Sequence, residues 1–166
     1  MRHTLAVLVT DKPGVLARIS GLLSRRLFNI ESIAAGYTED EGVTRITITV
    51  QGDEYVLGQI MKQLAKLVDV IKIVELKNEE SVARELALLK VRVSFDKRSD
   101  VINLVTVFRA NIIDVSKGTM IIEILGDERK INAFCLALEE YGIAEMVRTG
   151  RVALGRGGKS VKIMEG

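Results

Sequence analysis

A single cysteine, Cys135, stands in 166 residues, so no disulfide can form within the chain and the framework of a small secreted domain is excluded. A reducing, cytoplasmic setting is the expectation. Histidine is equally scarce: His3 is alone, so neither a His/Cys cluster of metal-ligating spacing nor a neighbouring nucleophile–base pair can be assembled. Charge of one sign is also missing, because 24 Lys and Arg face 22 Asp and Glu for a net +2. Such a balance provides no field for nucleic acid or an anionic membrane surface. Long apolar runs are absent too. The opening run ends at Val9 and is broken by Asp11 and Lys12, too short for a signal-peptide core and far from the ~20 residues of a membrane span. No GxGxxG fingerprint occurs, so no dinucleotide is expected on this chain.

What remains is a globular composition, 48% apolar with one proline and 14 glycines. Residues 5–9 are apolar and favour strand, the turn Asp11-Lys12-Pro13-Gly14 breaks the run, and Leu16, Ile19, Leu23 and Leu27 then recur at helical spacing. Residues 30–38 and 43–50 predict a hairpin around Glu39-Asp40-Glu41-Gly42, with Ile46, Ile48 and Val50 alternating against polar neighbours. Asp53 is placed to cap a helix that buries Leu57, Ile60, Leu64 and Leu67, and a strand follows over 70–76. The order βαββαβ folds, through two right-handed crossovers, into a four-stranded antiparallel sheet with both helices on one face.

The same order begins again after the polar segment 77–81, with a strand over 86–95 and a helix over 100–108. Asn29-Ile30 is matched by Asn111-Ile112, and Gly52-Asp53-Glu54 by Gly126-Asp127-Glu128. The second copy's last helix places Ile131, Phe134, Cys135 and Leu138 on one side, with Cys135 as core filler, and a strand over 143–148 follows Gly142. The fold class is therefore α+β: two tandem ferredoxin-like βαββαβ domains, a first over 1–77 and a second over 82–155. Residues 156–166 are expected to form a flexible tail. One continuous larger sheet is the structural alternative.

Residues 11–14 lead straight into a helix, where free backbone N–H groups and the helix N-terminus suit a small carboxylate. Gly14 admits close approach of the backbone, Pro13 stiffens the turn, and Asp11 offers a charge to an α-ammonium. The same residues also serve as ordinary punctuation between strand and helix. Asn29 and Ile30 begin what this fold makes an edge strand. A second copy pairing there would bring its Asn29 to the loop, although an asparagine at that point also ends helices in the left-handed conformation. The segment Ala153-Leu154-Gly155-Arg156-Gly157-Gly158-Lys159-Ser160 echoes a phosphate-binding loop, but too little chain follows to supply the helix such a loop requires.

Asp11-Lys12-Pro13-Gly14-Val15-Leu16-Ala17-Arg18-Ile19 followed by Phe28-Asn29-Ile30-Glu31-Ser32 resembles the amino-terminal ACT domain of acetolactate synthase small subunits. Lys62-Gln63-Leu64-Ala65-Lys66-Leu67-Val68-Asp69-Val70, Arg84-Glu85-Leu86-Ala87-Leu88-Leu89-Lys90-Val91, Phe108-Arg109-Ala110-Asn111-Ile112-Ile113-Asp114-Val115 and Arg148-Thr149-Gly150 extend that resemblance over nearly the whole chain. It implies a subunit without chemistry of its own, in branched-chain amino acid biosynthesis. Such a subunit activates a large catalytic subunit that uses thiamine diphosphate, Mg and FAD, and makes it sensitive to valine, isoleucine or leucine. It further implies a homodimer through the ACT domains, no cofactor or metal on this chain, and effector contacts from Asp11, Lys12, Pro13, Gly14, Val15, Asn29 and Ile30. Many relatives carry Asn where this chain has Asp11, which leaves the preferred effector open. The second copy has Asp96-Lys97-Arg98-Ser99-Asp100 in place of the Pro-Gly loop, and is expected to serve the catalytic partner instead. A free-standing ACT regulator of another enzyme or of transcription is the functional alternative; an enzyme in its own right would have only Lys159 to nominate.

Overall fold

A computed structural model of the chain describes residues 1–163. It divides into two compact units, Met1–Ala83 together with Arg151–Gly166, and Arg84–Gly150.

The first unit contains β1 (Arg2–Thr10), α1 (Val15–Arg25), β2 (Asn29–Tyr37), β3 (Val43–Gln51), α2 (Glu54–Ala65) and β4 (Val70–Glu75). Its sheet runs β2-β3-β1-β4 with every neighbouring pair antiparallel. Alternation decides which side chains go inward: Leu5, Val7 and Val9 of β1 and Ile46, Ile48 and Val50 of β3 form one core with Val15, Ile19 and Leu23 of α1 and Leu57, Ile60 and Leu64 of α2. The Asp53 carboxylate caps α2, accepting from the Val56 N–H at 2.8 Å. α1 is shorter than its apolar spacing predicts. It closes with Leu27 in the left-handed region (φ 56) and the Phe28 N–H donating back to the Leu23 carbonyl at 3.2 Å, leaving Leu27 91% exposed.

The second unit repeats the plan with β5 (Ser81–Arg92, whose first residues belong to the first unit), α3 (Arg98–Val107), β6 (Asn111–Val115), β7 (Thr119–Gly126), α4 (Glu128–Leu138) and β8 (Ile143–Arg148). The sheet order β6-β7-β5-β8 is the first order over again. Asp127 caps α4 as Asp53 caps α2, and α3 closes as α1 does, with Arg109 at φ 54 and the Ala110 N–H on the Val105 carbonyl. Phe134 fills the centre, fully buried, its ring 5.1 Å from that of Phe108. Cys135 packs against this core, and burial pushes its thiol up from the usual value.

The segment after β8 has ties to both halves: Val152–Gly155 form a strand, β9, that pairs with β5 and adds a fifth strand to the second sheet, as a second domain over 82–155 requires, while by its contacts the segment from Arg151 onward groups with the first unit instead of hanging free as a tail from 156. Its hydrogen bonds account for this. The Arg156 N–H reaches the Glu80 carbonyl at 2.7 Å, Arg156 Nε the Ser81 carbonyl at 3.1 Å, Lys159 Nζ the Glu80 carboxylate at 2.5 Å, and Arg151 Nη2 the Asn78 side chain at 3.1 Å. The Lys159 ammonium holds the Glu80 carboxyl below its usual value. The part of the expected tail at 164–166 lies outside the described residues.

The reason for the return lies on the sheet face that the helices leave bare. Thr4, Ala6 and Leu8 of β1 and Thr47 and Thr49 of β3 point to that outer face, and all are buried. Ala6 and Leu76 cluster with Ala153, flanked by Val74, Ala83 and Val161, while Arg45 Nη2 donates to the Ala153 carbonyl at 2.6 Å. Deleting residues 151–166 is therefore expected to lower the thermal midpoint of the first unit and to promote self-association, read by calorimetry and light scattering. Phe134→Ala is expected to cost the second unit about 3–5 kcal/mol in denaturant unfolding.

Candidate functional site

The loop between β1 and α1 is built by backbone hydrogen bonds rather than by side-chain caps. The Asp11 N–H donates to the Gly42 carbonyl at 2.9 Å, the Lys12 N–H to Thr10 at 3.0 Å, and the Val15 N–H to Lys12 at 3.4 Å. Gly14 occupies the N-cap of α1 in the left-handed conformation, φ 84, without a capping side chain. The first N–H groups of a helix have no intrahelical acceptor. Here those of Gly14, Leu16 and Ala17 have no hydrogen-bond partner among the described residues. Three donors without partners thus lie at the positive end of an eleven-residue helix with no acidic residue in its first turn.

Asp11 stands beside them. The Thr44 hydroxyl donates to its Oδ1 at 3.2 Å, and Oδ2 has no partner among the described residues. Lys12 and Pro13 are exposed along the loop. Val15 is placed differently: its side chain is buried in the core, so only its backbone borders the loop.

Asn29 and Ile30 lie elsewhere in the same chain. Asn29 pairs in register with Gln51, as does Arg2 at the start of β1, whereas the loop follows the far end of β1. Eight residues at ~3.4 Å each separate the two ends by about 27 Å. Within one chain the structure therefore joins residues 11–15 and keeps Asn29 and Ile30 apart from them. Asn29 begins β2 and donates through Nδ2 to the Gln51 side chain at 3.0 Å, while Leu27, not Asn29, takes the left-handed helix-ending position. Ile30 packs its side chain against the first core. The edge strand β2 runs Asn-Ile-Glu-Ser-Ile-Ala-Ala-Gly-Tyr, with one charge, Glu31, held by Arg2. The opposite edge, β4, carries Lys72 and a register irregularity opposite Leu8 and Val9; β2 has an irregularity of its own between Ile30 and Ser32, and its run beyond Ser32 is regular.

Two residues absent from the candidate set complete the surroundings. Asp69, buried just before β4, accepts from Arg18 Nε at 2.9 Å and from the Thr10 hydroxyl at 3.3 Å, and its carbonyl accepts from the Thr10 N–H at 2.9 Å. No sequence spacing signals a pair 51 residues apart. In the second unit the corresponding entrance is a single 3-10 turn, Phe95–Lys97, running into α3 without a left-handed glycine. A separate cavity of about 400 Å³ between α2 and β4, lined by Met61, Ala65, Ile73 and their neighbours, contains none of the candidate residues. Among the described residues no group of three or more His, Cys, Asp or Glu side chains could hold a metal ion. The segment 153–160 is strand and hydrogen-bonded turn, and no helix follows it among the described residues.

Comparison with known proteins gives this geometry a family. Residues 5–72 match the AHAS small subunit-like ACT domain, and residues 84–157 match the family described as the small subunit of acetolactate synthase. The probable acetolactate synthase small subunit of Archaeoglobus fulgidus is 51% identical over 96% of this chain and 99% of its own length. The acetolactate synthase small subunit of Mycobacterium bovis is 52% identical over 96% of this chain and 95% of its own. The crystal structure of the acetolactate synthase small subunit from Thermotoga maritima superposes with a TM-score of 0.90 at 42% identity, covering 96% of this chain and 99% of that one. With both halves matched, and in that order, the chain belongs to the acetolactate synthase small subunits, the regulatory partners of that synthase, with an ACT domain at its amino end.

Proposed function

We propose that this subunit binds a branched-chain amino acid, valine or a close relative, at the entrance of α1, and imposes feedback inhibition on a catalytic subunit that it otherwise activates. The observation that carries the reading is the trio of unpartnered N–H groups at Gly14, Leu16 and Ala17, next to a carboxylate, Asp11, with one oxygen unengaged. A zwitterion answers both: its carboxylate to the amides, its ammonium to Asp11. The chain itself contributes no chemistry. Thiamine diphosphate, Mg and FAD belong in this reading to the catalytic subunit, and the pair works in the cytoplasm.

The pocket is completed by a second copy. β2 is an edge with small, nearly uncharged residues and invites antiparallel pairing about a twofold axis. Such pairing sets the partner copy's start of β2 beside this chain's Tyr37, the end of β2 on the loop's side of the sheet. Asn29 and Ile30 then act across the interface, not within the chain. An effector held between two copies inhibits by favouring one quaternary arrangement over another, with coupling of about 1–3 kcal/mol, or 5–150-fold.

The second domain has the role of docking on the catalytic subunit. Its outer sheet face carries Leu88, Leu125 and Val147 exposed to solvent, and its helix entrance lacks the loop that suits a small anion. Gly14→Asp tests the site. Any side chain at φ 84 is strained, and this one sets a negative charge where the effector's carboxylate binds. Reconstituted with the large subunit, the variant is expected to activate it as the wild type does while the inhibitory concentration of valine rises about tenfold or more. Inhibition of ordinary strength would remove the loop from the effector site.

A further inference from the structure

The amides at the entrance of α1 account for hydrogen bonds to a carboxylate but supply only a partial charge. A full charge stands next to them. A Cβ built on Gly14 would lie 3.0 Å from Arg18 Nη1, so the guanidinium borders the glycine on the side where no side chain intervenes. Its position is determined from behind. Asp69 Oδ2 accepts from Arg18 Nε at 2.9 Å and lies 2.7 Å from Nη2. That carboxylate side chain is 10% exposed, and it is itself tied to Thr10, the residue before Asp11, by the hydroxyl and the backbone. One edge of the guanidinium is thereby committed to Asp69. Nη1 remains without a partner among the described residues, facing the loop.

Resting on the effector site described under Proposed function, we infer that Arg18 is the cationic contact for the effector's carboxylate, and that Asp69 is the residue that positions it. The rigid planar fork suits this division, because one side of a guanidinium can be anchored while the other stays available to an anion. The arrangement also accounts for glycine at position 14 beyond its left-handed φ: a side chain there would occupy the space between Nη1 and the ligand. Selectivity follows from the charge. The site takes α-amino acids with a free carboxylate and discriminates against the corresponding amides, which share the side chain and the ammonium but carry no anion.

The test is calorimetric titration of the full-length wild type, Arg18→Gln, Arg18→Lys and Asp69→Asn, each with valine and with valinamide. Arg18→Gln is expected to weaken valine binding about tenfold or more, the scale of a charge-assisted hydrogen bond, and to leave valinamide binding unchanged. Arg18→Lys should recover part of the valine affinity through the charge alone. Asp69→Asn should erode the preference for valine over valinamide without abolishing binding. Valine affinity in Arg18→Gln equal to the wild type, or an equal loss for both ligands, overturns the assignment and leaves the effector site standing. A wild-type chain that binds none of the branched-chain amino acids overturns the site and this assignment with it.

Discussion

A βαββαβ unit has a sheet with two faces and helices enough for only one of them, and that shortage governs the molecule. The inner face of each sheet is handled as the periodicity of the chain dictates, with β-branched and leucine residues meeting the apolar stripes of two helices. The outer face of the first sheet carries Ala6, Leu8, Thr47 and Thr49, all buried, and Ala153 of the chain's own return packs with Ala6 and Leu76 there. Arg45 joins the two layers by donating to the Ala153 carbonyl, and burial presses its guanidinium below its usual value, against the opposing charge of Glu39. The outer face of the second sheet carries Leu88, Leu125 and Val147 exposed beside the Lys90–Glu145 ion pair.

The element order, both sheets and the capping aspartates were legible in the sequence because they rest on local rules: period two for strands, three to four for helices, and a short polar acceptor before a helix. The end of α1 was not, because Leu27 extends an apolar spacing that looks helical but occupies the left-handed closing position instead. Local hydrogen bonding to the Leu23 carbonyl prevails over apolar periodicity at that point. β9 was also missed as a strand, since four residues among glycines and arginines carry too little pattern to separate a strand from a tail. Its place depends on what lies bare some 150 residues earlier in the chain, which no local window contains.

The candidate site divides along the same line. The loop 11–14 could be read from Pro-Gly chemistry at a strand-to-helix junction. That the side chains of Val15 and Ile30 serve the core depends on which way each faces. Arg18 reads as a surface charge until the fold brings Asp69 beneath it. The two copies show how little sequence change alters the entrance to a helix. They share strand order, capping and the left-handed residues Leu27 and Arg109, and diverge at the entrance of the first helix. A glycine at φ 84 keeps donors open in one, and a 3-10 turn replaces it in the other.

The return of residues 151–161 onto the first sheet also sets an order of assembly. Domains generally fold as they emerge from the ribosome, amino end first. Here the first unit is translated before the second, yet Ala6 and Leu76 lack their cover until Ala153 and Val161 have followed. The unit that is made before its neighbour is thus finished after it, and a ribosome that stops short of the return leaves its damage in the domain already made.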